Sequence, residues 1–263
     1  MHFLSILGVF FSFITLANAS SEIIEYKKDP CNVYGKRTYV HENIEHTLIL
    51  KSITDEDALK DILEKSNEHQ QKLANEDKKP YQLNADYIDI ANKRCETTAF
   101  YGLISPTHHV FFNLGNQPVL YGNKDETTDV EKGLNNFFED LDVLKKINTE
   151  DDSNFNNMKV TGGVASIAYA IDPNSMHKKT IEEYACLLID IIQELKNKGH
   201  KLPNSGETPV CISCIAPGYD KDLLELFEKL EFTCYTKEDK NYGKVVEAFF
   251  PDAHRVFLVK KLK

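Results

Sequence analysis

Lys178 and Lys179 stand side by side where an apolar, helix-spaced run begins. Two cations at a helix start are mildly unfavourable, because the dipole there is already positive. An anion would relieve both the lysines and the free N–H groups of the first turn, so the pair reads as a candidate anion site. Cys211 and Cys214 form a C-x-x-C, but residues 209–216 read as a strand, where residues three apart point to opposite faces. No second C-x-x-C or histidine pair completes a four-ligand zinc site, so plain buried thiols are expected and no metal. His108 and His109 are neighbours in a strand, one facing in and one out, and either serves as a base only if it lines a central cleft. Glu139, Asp140 and Asp142 read as a solvated helix face.

The elements that must position these residues follow from hydrophobic periodicity, and they make an α/β (α+β) chain. A strand over 46–51 leads to Thr54, an N-cap with Asp57 three residues on, and a helix over 57–71. A short helix is expected around 85–92, then strands over 96–104 and 108–114. Residues 122–159 are rich in Asn, Asp, Glu and Lys and enclose one amphipathic stretch, 130–147, so they read as an insertion carrying a helix. The clearest part comes last. A strand over 164–172 precedes a helix over 180–198, with Ile181, Tyr184, Leu188, Ile191 and Leu195 on its core face and Gly199 beyond its end. A strand over 210–215 precedes a helix over 220–230 capped by Asp220. Strands follow near 233–235, 245–250 and 255–260. Strand, helix, strand in this order implies a right-handed crossover between parallel strands.

Composition bounds the function. The 263 residues, 41% hydrophobic and 27% charged, allow one sizeable core or one and a half. A net charge of -10 disfavours duplex nucleic acid, which needs a basic stripe, so no nucleic-acid partner is expected. The apolar run 3–16, followed by Ala17-Asn18-Ala19, matches a signal peptide cleaved after Ala19, although no Lys or Arg precedes it. The expected location is therefore secreted or periplasmic, outside the cytoplasm. The run is shorter than the roughly 20 residues that span a bilayer, and the later apolar stretch 185–195 carries Asp190 and Glu194, so no stable membrane insertion is expected after cleavage. Residues 20–45 read as a lead-in that packs loosely or adds an edge strand, and 46–263 as the folded domain. Six cysteines would allow 15 pairings, among which the sequence does not choose.

Three pieces resemble the GNAT superfamily of acyl-CoA-dependent N-acyltransferases, above all the branch that acetylates ribosomal-protein N-termini. They are residues 47–57 (TLILKSITDED), 166–173 (SIAYAIDP) and 225–232 (ELFEKLEF), the last like the family's E-K-L-G-F with Glu231 where glycine is usual. The resemblance covers about residues 47–262, with the insertion outside the pattern. It implies a central mixed sheet flanked by helices and acetyl-CoA as co-substrate. The family loop Q/R-x-x-G-x-G/A, whose small residues let backbone N–H groups approach the pyrophosphate, falls on Met176-His177-Lys178-Lys179-Thr180-Ile181. The required arginine or glutamine and both small residues are replaced, by Met176, Lys179 and Ile181.

By the same resemblance Tyr169 and Ile171 lie on the strand that lends backbone groups to the pantetheine arm. Asp220 stands where the family often has an asparagine opening the later helix. The family tyrosine proposed as general acid falls on Phe227, which has no proton to give. The cofactor-binding set implied is Tyr169, Ile171, His177, Lys178, Lys179, Thr180, Ile181 and Asp220, with no catalytic residue assigned. The implied function is transfer of acetyl from acetyl-CoA to an amine acceptor, a protein N-terminus, a lysine or a small amine. The alternative is a catalytically inactive, secreted binding protein of the same fold.

Overall fold

The structure, a computed structural model, describes residues 19–23, 33–51, 56–74, 80, 101–104, 108–116, 129–146, 158–171, 178–201, 207–249 and 254–263. The leader at 1–18, the helix expected at 85–92, Cys31, Cys95, and the loop 172–177 with His177 lie outside them. Among the described residues, nine strands form one sheet in the order β1 (Ser20–Ile23), β2 (Val33–His41), β3 (Ile44–Lys51), β4 (Tyr101–Ile104), β5 (His108–Asn116), β8 (Gly163–Ile171), β9 (Pro209–Pro217), β11 (Arg255–Lys261) and β10 (Thr233–Tyr235). A separate ladder joins β6 (Leu144–Lys146) to β7 (Met158–Val160). The helices are α1 (Glu56–Leu73), α2 (Asp129–Asp140), α3 (Lys178–Asn197), α4 (Lys221–Lys229) and α5 (Gly243–Phe249). None of the described helices is long and apolar enough to cross a membrane. The fold is a mixed α/β sheet flanked by helices.

Alternation along the central strands splits the core into two layers. Ala165 and Ile167 of β8, with Ile212 and Cys214 of β9, face one layer, built on Tyr184, Leu187, Leu188, Ile191 and Ile192 of α3 and Leu223 and Phe227 of α4. Val164 and Cys211 face the other, built on Phe137 and Phe138 of α2 and Val245 of α5. The two cysteines of the C-x-x-C thus sit in opposite layers as free thiols, and burial pushes the Cys211 thiol up to about 12. Asp140 and Asp142 serve contacts within the chain: Asp140 accepts from the Tyr242 hydroxyl, and Asp142 pairs with Lys261 at 3.0 Å.

Of the strand expected at 245–250, the described residues 245–249 are helical. Val245 and Val246 are adjacent and both buried, which fits a helix wedged into the second layer and not a period of two. Asp239 accepts the N–H groups of Asn241 and Tyr242 just before this helix, a local start signal that the β-branched pair outweighs in a sequence reading. The amphipathic run 130–147 is likewise helical only through Asp140, after which Asp142 takes a positive φ of 62° and the chain enters β6.

Helices α3 and α4 end alike. At the end of α3 the N–H of His200 bonds to Leu195 and that of Gly199 to Lys196, with Gly199 at φ 67°. After α4, Phe232 bonds to Phe227 and Glu231 to Glu228, with Glu231 at φ 65°. Both are Schellman motifs, whose left-handed residue is usually glycine. Glu231 bears the strain, and its carboxylate meets Lys260 at 2.8 Å while the same ammonium donates to the Leu230 carbonyl. We expect Glu231→Gly to raise the thermal midpoint and Glu231→Val, branched at Cβ, to lower it. A glycine variant melting at or below the wild type would show that the Lys260 contact outweighs the backbone strain.

Candidate functional site

Strands β8 and β9 form the one parallel pair among the described residues, and their ladder runs only from Gly163–Pro209 to Ile167–Cys214. Beyond that point β8 continues to Ile171 on β5 alone, and β9 continues to Pro217 on β11 alone. Each strand is held on its outer side and released from the other. Helix α3 follows the end of β8, and α4 follows the end of β9. Ligands of open α/β sheets bind in the crevice beyond the carboxyl ends of parallel strands, where such neighbours part.

A cleft of about 600 Å³ lies between α1 and the starts of the two helices that follow these strands, lined by Ser66, His69, Gln70 and Leu73 of α1, Lys178 and Ile181 of α3, and residues of the segment that opens α4, Tyr219 to Leu223 with Glu225 and Leu226. Asp220 closes its floor. One carboxylate oxygen accepts the Leu223 N–H at 3.1 Å, the N-cap bond of α4, and the other accepts from Gln70 Nε2 at 3.0 Å. At the mouth Lys178 reaches Asp222 at 3.1 Å and Glu225 at 3.7 Å, and the hydrogen bond and charge of Asp222 hold its pKa above the ordinary lysine value. These groups are largely exposed, so the pairing is weak and easily exchanged for another partner. A smaller cavity of about 210 Å³, lined by Gly218, Lys237, His254 and Arg255 among others, shares Tyr219 with the cleft, just past the end of β9.

The structure brings Lys178, Ile181 and Asp220 together in the cleft and takes Lys179 and Thr180 elsewhere. Lys179 meets Glu183 at 2.5 Å and Glu182 at 3.5 Å, and the Thr180 hydroxyl bonds to that of Tyr39 at 3.0 Å. Tyr169 and Ile171 lie in the part of β8 beyond the ladder, opposite Phe112 and Val110 of β5. Phe227 is buried against Phe232, with ring centroids 4.9 Å apart. Gln70, His69, Lys221, Asp222 and Glu225 were not picked out as site residues from sequence; Gln70 carries no motif, and only its place one turn before the end of an amphipathic helix distinguishes it.

Lys179 is drawn away by a buried carboxylate. Glu183 is 4% exposed and lies between Lys179 and Arg37, whose Nε is 2.5 Å away. Arg37 also donates to Ser21 Oγ at 2.7 Å and Asp190 at 3.1 Å, fastening β1 and β2 to α3. Burial alone would raise the Glu183 pKa, but hydrogen bonds from Lys179 and Arg37 hold it below the ordinary 4.5.

No family model matches the sequence, and no curated protein matches it either. Solved structures do show likeness. A protein described as a phosphinothricin N-acetyltransferase aligns over 82% of this chain and 99% of its own, at 10% identity and a TM-score of 0.38. The ribosomal-protein-S5-alanine acetyltransferase from Vibrio fischeri aligns over 85% and 96%, at 10% identity and a TM-score of 0.39. NAA60 from Arabidopsis thaliana, solved in complex with acetyl-CoA, aligns over 77% and 95%, at 7% identity and a TM-score of 0.34. At these identities and scores the likeness does not reach the side chains of the cleft.

Two outcomes follow from the geometry. Arg37→Met is expected to cost about 1–3 kcal/mol at neutral pH, because it leaves one oxygen of a buried carboxylate without its donor and Lys179 as the remaining cation. A depressed folded-state pKa contributes stability above the unfolded value and loses it as pH falls through the folded one, so the deficit should be full above pH 4.5 and shrink below it. Urea unfolding across pH 3 to 7 checks this, and a deficit independent of pH would contradict it. Asp220→Ala removes the α4 cap and leaves the Gln70 amide without an acceptor, at a cost of about 2 kcal/mol, whereas Asp220→Asn, an equally good cap, should cost much less. Equal losses in both variants would contradict the capping role.

Proposed function

We propose that the chain is an acetyl-CoA-dependent N-acyltransferase that moves an acetyl group to an amine of a protein or small molecule. The parting of β8 and β9 beside a cleft of about 600 Å³ carries the reading. Strand edges that have stopped pairing with each other suit a thin, amide-bearing thioester arm, since its amides can take the place of a neighbouring strand. The start of α3 and Lys178 suit its phosphates. Lys178 must leave Asp222 and Glu225 to serve them, which its exposure makes inexpensive. Held there, the thioester carbonyl lies within reach of a second molecule, and orientation supplies much of the rate. The amine nitrogen bonds to the carbonyl carbon, the carbon–sulfur bond breaks, the thiolate departs with its electron pair, and a base takes the amine proton. Export through residues 1–19 belongs to the same proposal, and it would have the chain meet acetyl-CoA inside a host cell or another compartment.

A second reading, a non-catalytic binding protein on the same fold, is favoured by two observations. Phe227 is buried and has no proton to give, and the Lys178 charge is already engaged by carboxylates.

Isothermal titration with acetyl-CoA decides between them. Micromolar binding that weakens several-fold in Lys178→Glu and falls with added salt, followed by acetylated product in an amine screen, is the expected result. No detectable heat together with an unchanged melting temperature would overturn the transferase reading in favour of the binding protein.

A further inference from the structure

We propose that Gln70 is a ligand-recognition residue whose Oε1 accepts a hydrogen bond from an N–H group at the inner end of the molecule bound in the cleft, anionic groups staying at the mouth beside Lys178 and Lys221. The sources of that N–H rest on the acyl-transfer reading; the subsite itself rests on geometry.

Gln70 lines the cleft and is 5% exposed. Its amide orientation is fixed by its neighbour. Asp220 uses one carboxylate oxygen on the Leu223 N–H and turns the other to Gln70 at 3.0 Å. A carboxylate oxygen only accepts, so the amide nitrogen must face it; the opposite orientation would set two acceptors against each other. The Gln70 carbonyl oxygen is therefore turned from Asp220, buried, and without a donor among the described residues. Native structures seldom leave a buried acceptor in that condition, and one on a side chain that lines a cleft is best explained by a donor that arrives with the ligand.

The chemistry of the donor is narrow. A carboxylate or a diphosphate diester at neutral pH is ionised and has no proton to give, and neither has a thioester carbonyl. An amide or amine N–H has. In acyl transfer two partners carry one: the amides of the pantetheine arm and the amine to be acetylated.

Titration of the full chain with pantetheine, with 1,4-diaminobutane and with inorganic pyrophosphate, followed by NMR, tests the proposal and separates the sources. One of the two N–H probes should bind, and Gln70→Met, close in shape but lacking the oxygen, should weaken that probe about tenfold, the scale of one hydrogen bond, while leaving pyrophosphate affinity unchanged. A response with pantetheine assigns the subsite to the donor arm, and one with the diamine assigns it to the acceptor. Unchanged affinities in Gln70→Met, or no binding of either N–H probe to the wild type, overturn the proposal. Should Gln70→Met fail to fold, Asp220→Asn keeps the cap but lets the Gln70 amide turn either way; it should weaken the same probe several-fold, and no change there overturns the proposal equally. Diamine binding that depends on Gln70, in a chain that ignores acetyl-CoA, would sink the transferase reading and leave this subsite standing.

Discussion

Everything at the site follows from where one ladder of hydrogen bonds stops. β8 and β9 must pair to close the sheet between its two antiparallel flanks, yet each is also committed to an outer neighbour that carries it past the end of the shared ladder. β5 takes β8 as far as Ile171, and β11 takes β9 as far as Pro217. Backbone groups beyond Ile167 and Cys214 no longer find one another, and buried backbone groups require partners of some kind. The helices that follow the two strands then bring their first turns to the mouth of the gap. The opening is thus a product of strand pairing and needs no particular side chain.

Side chains decide what the opening can hold, and a contest over charge settles much of that. Lys178 and Lys179 are neighbours in sequence but lie about 100° apart around α3. Glu183, one turn on from Lys179 and nearly fully buried, needs cationic partners, and it claims Lys179 together with Arg37. Among the described residues Lys178 meets exposed carboxylates, Asp222 and Glu225, and keeps a charge that can be redirected. The same buried glutamate ties β1 and β2 to α3 through Arg37, Ser21 and Asp190, so residues near the front of the chain help determine which lysine is free to serve a ligand.

Much of this frame was legible in the sequence, because α3 and α4 bury wide apolar stripes whose spacing survives any tertiary context, and the strands before them are short and rich in strand formers. The error at Val245 and Val246 has a physical origin. A β-branched pair is equally at home in a strand or in a helix pressed into a core, and only the neighbours Phe137 and Tyr242 show which. The division of labour between Lys178 and Lys179 required knowing that Glu183 is buried. Gln70 was invisible for a related reason: its interest lies in an orientation imposed by Asp220, 150 residues away, and no local pattern encodes that.

The departures from the acyltransferase pattern are of unequal weight. Glu231 stands where glycine is usual, yet it takes up the left-handed turn, with Phe232 and Phe227 in contact beneath it and Lys260 above. The backbone tolerates that change because the motif asks only for a conformation, and a few neighbouring contacts can enforce one. Phe227 is different in kind, since the missing hydroxyl is chemistry that no rearrangement of its buried ring restores. Ile181 falls between the two. It lines the cleft at the start of α3, so its side chain narrows the approach to the first turn without removing any donor. On the proposed reading, the chain offers an opening that suits a thioester but no hydroxyl at residue 227 to protonate the leaving group. If it does transfer an acyl group, the thiolate must leave unprotonated or take its proton from a group other than residue 227.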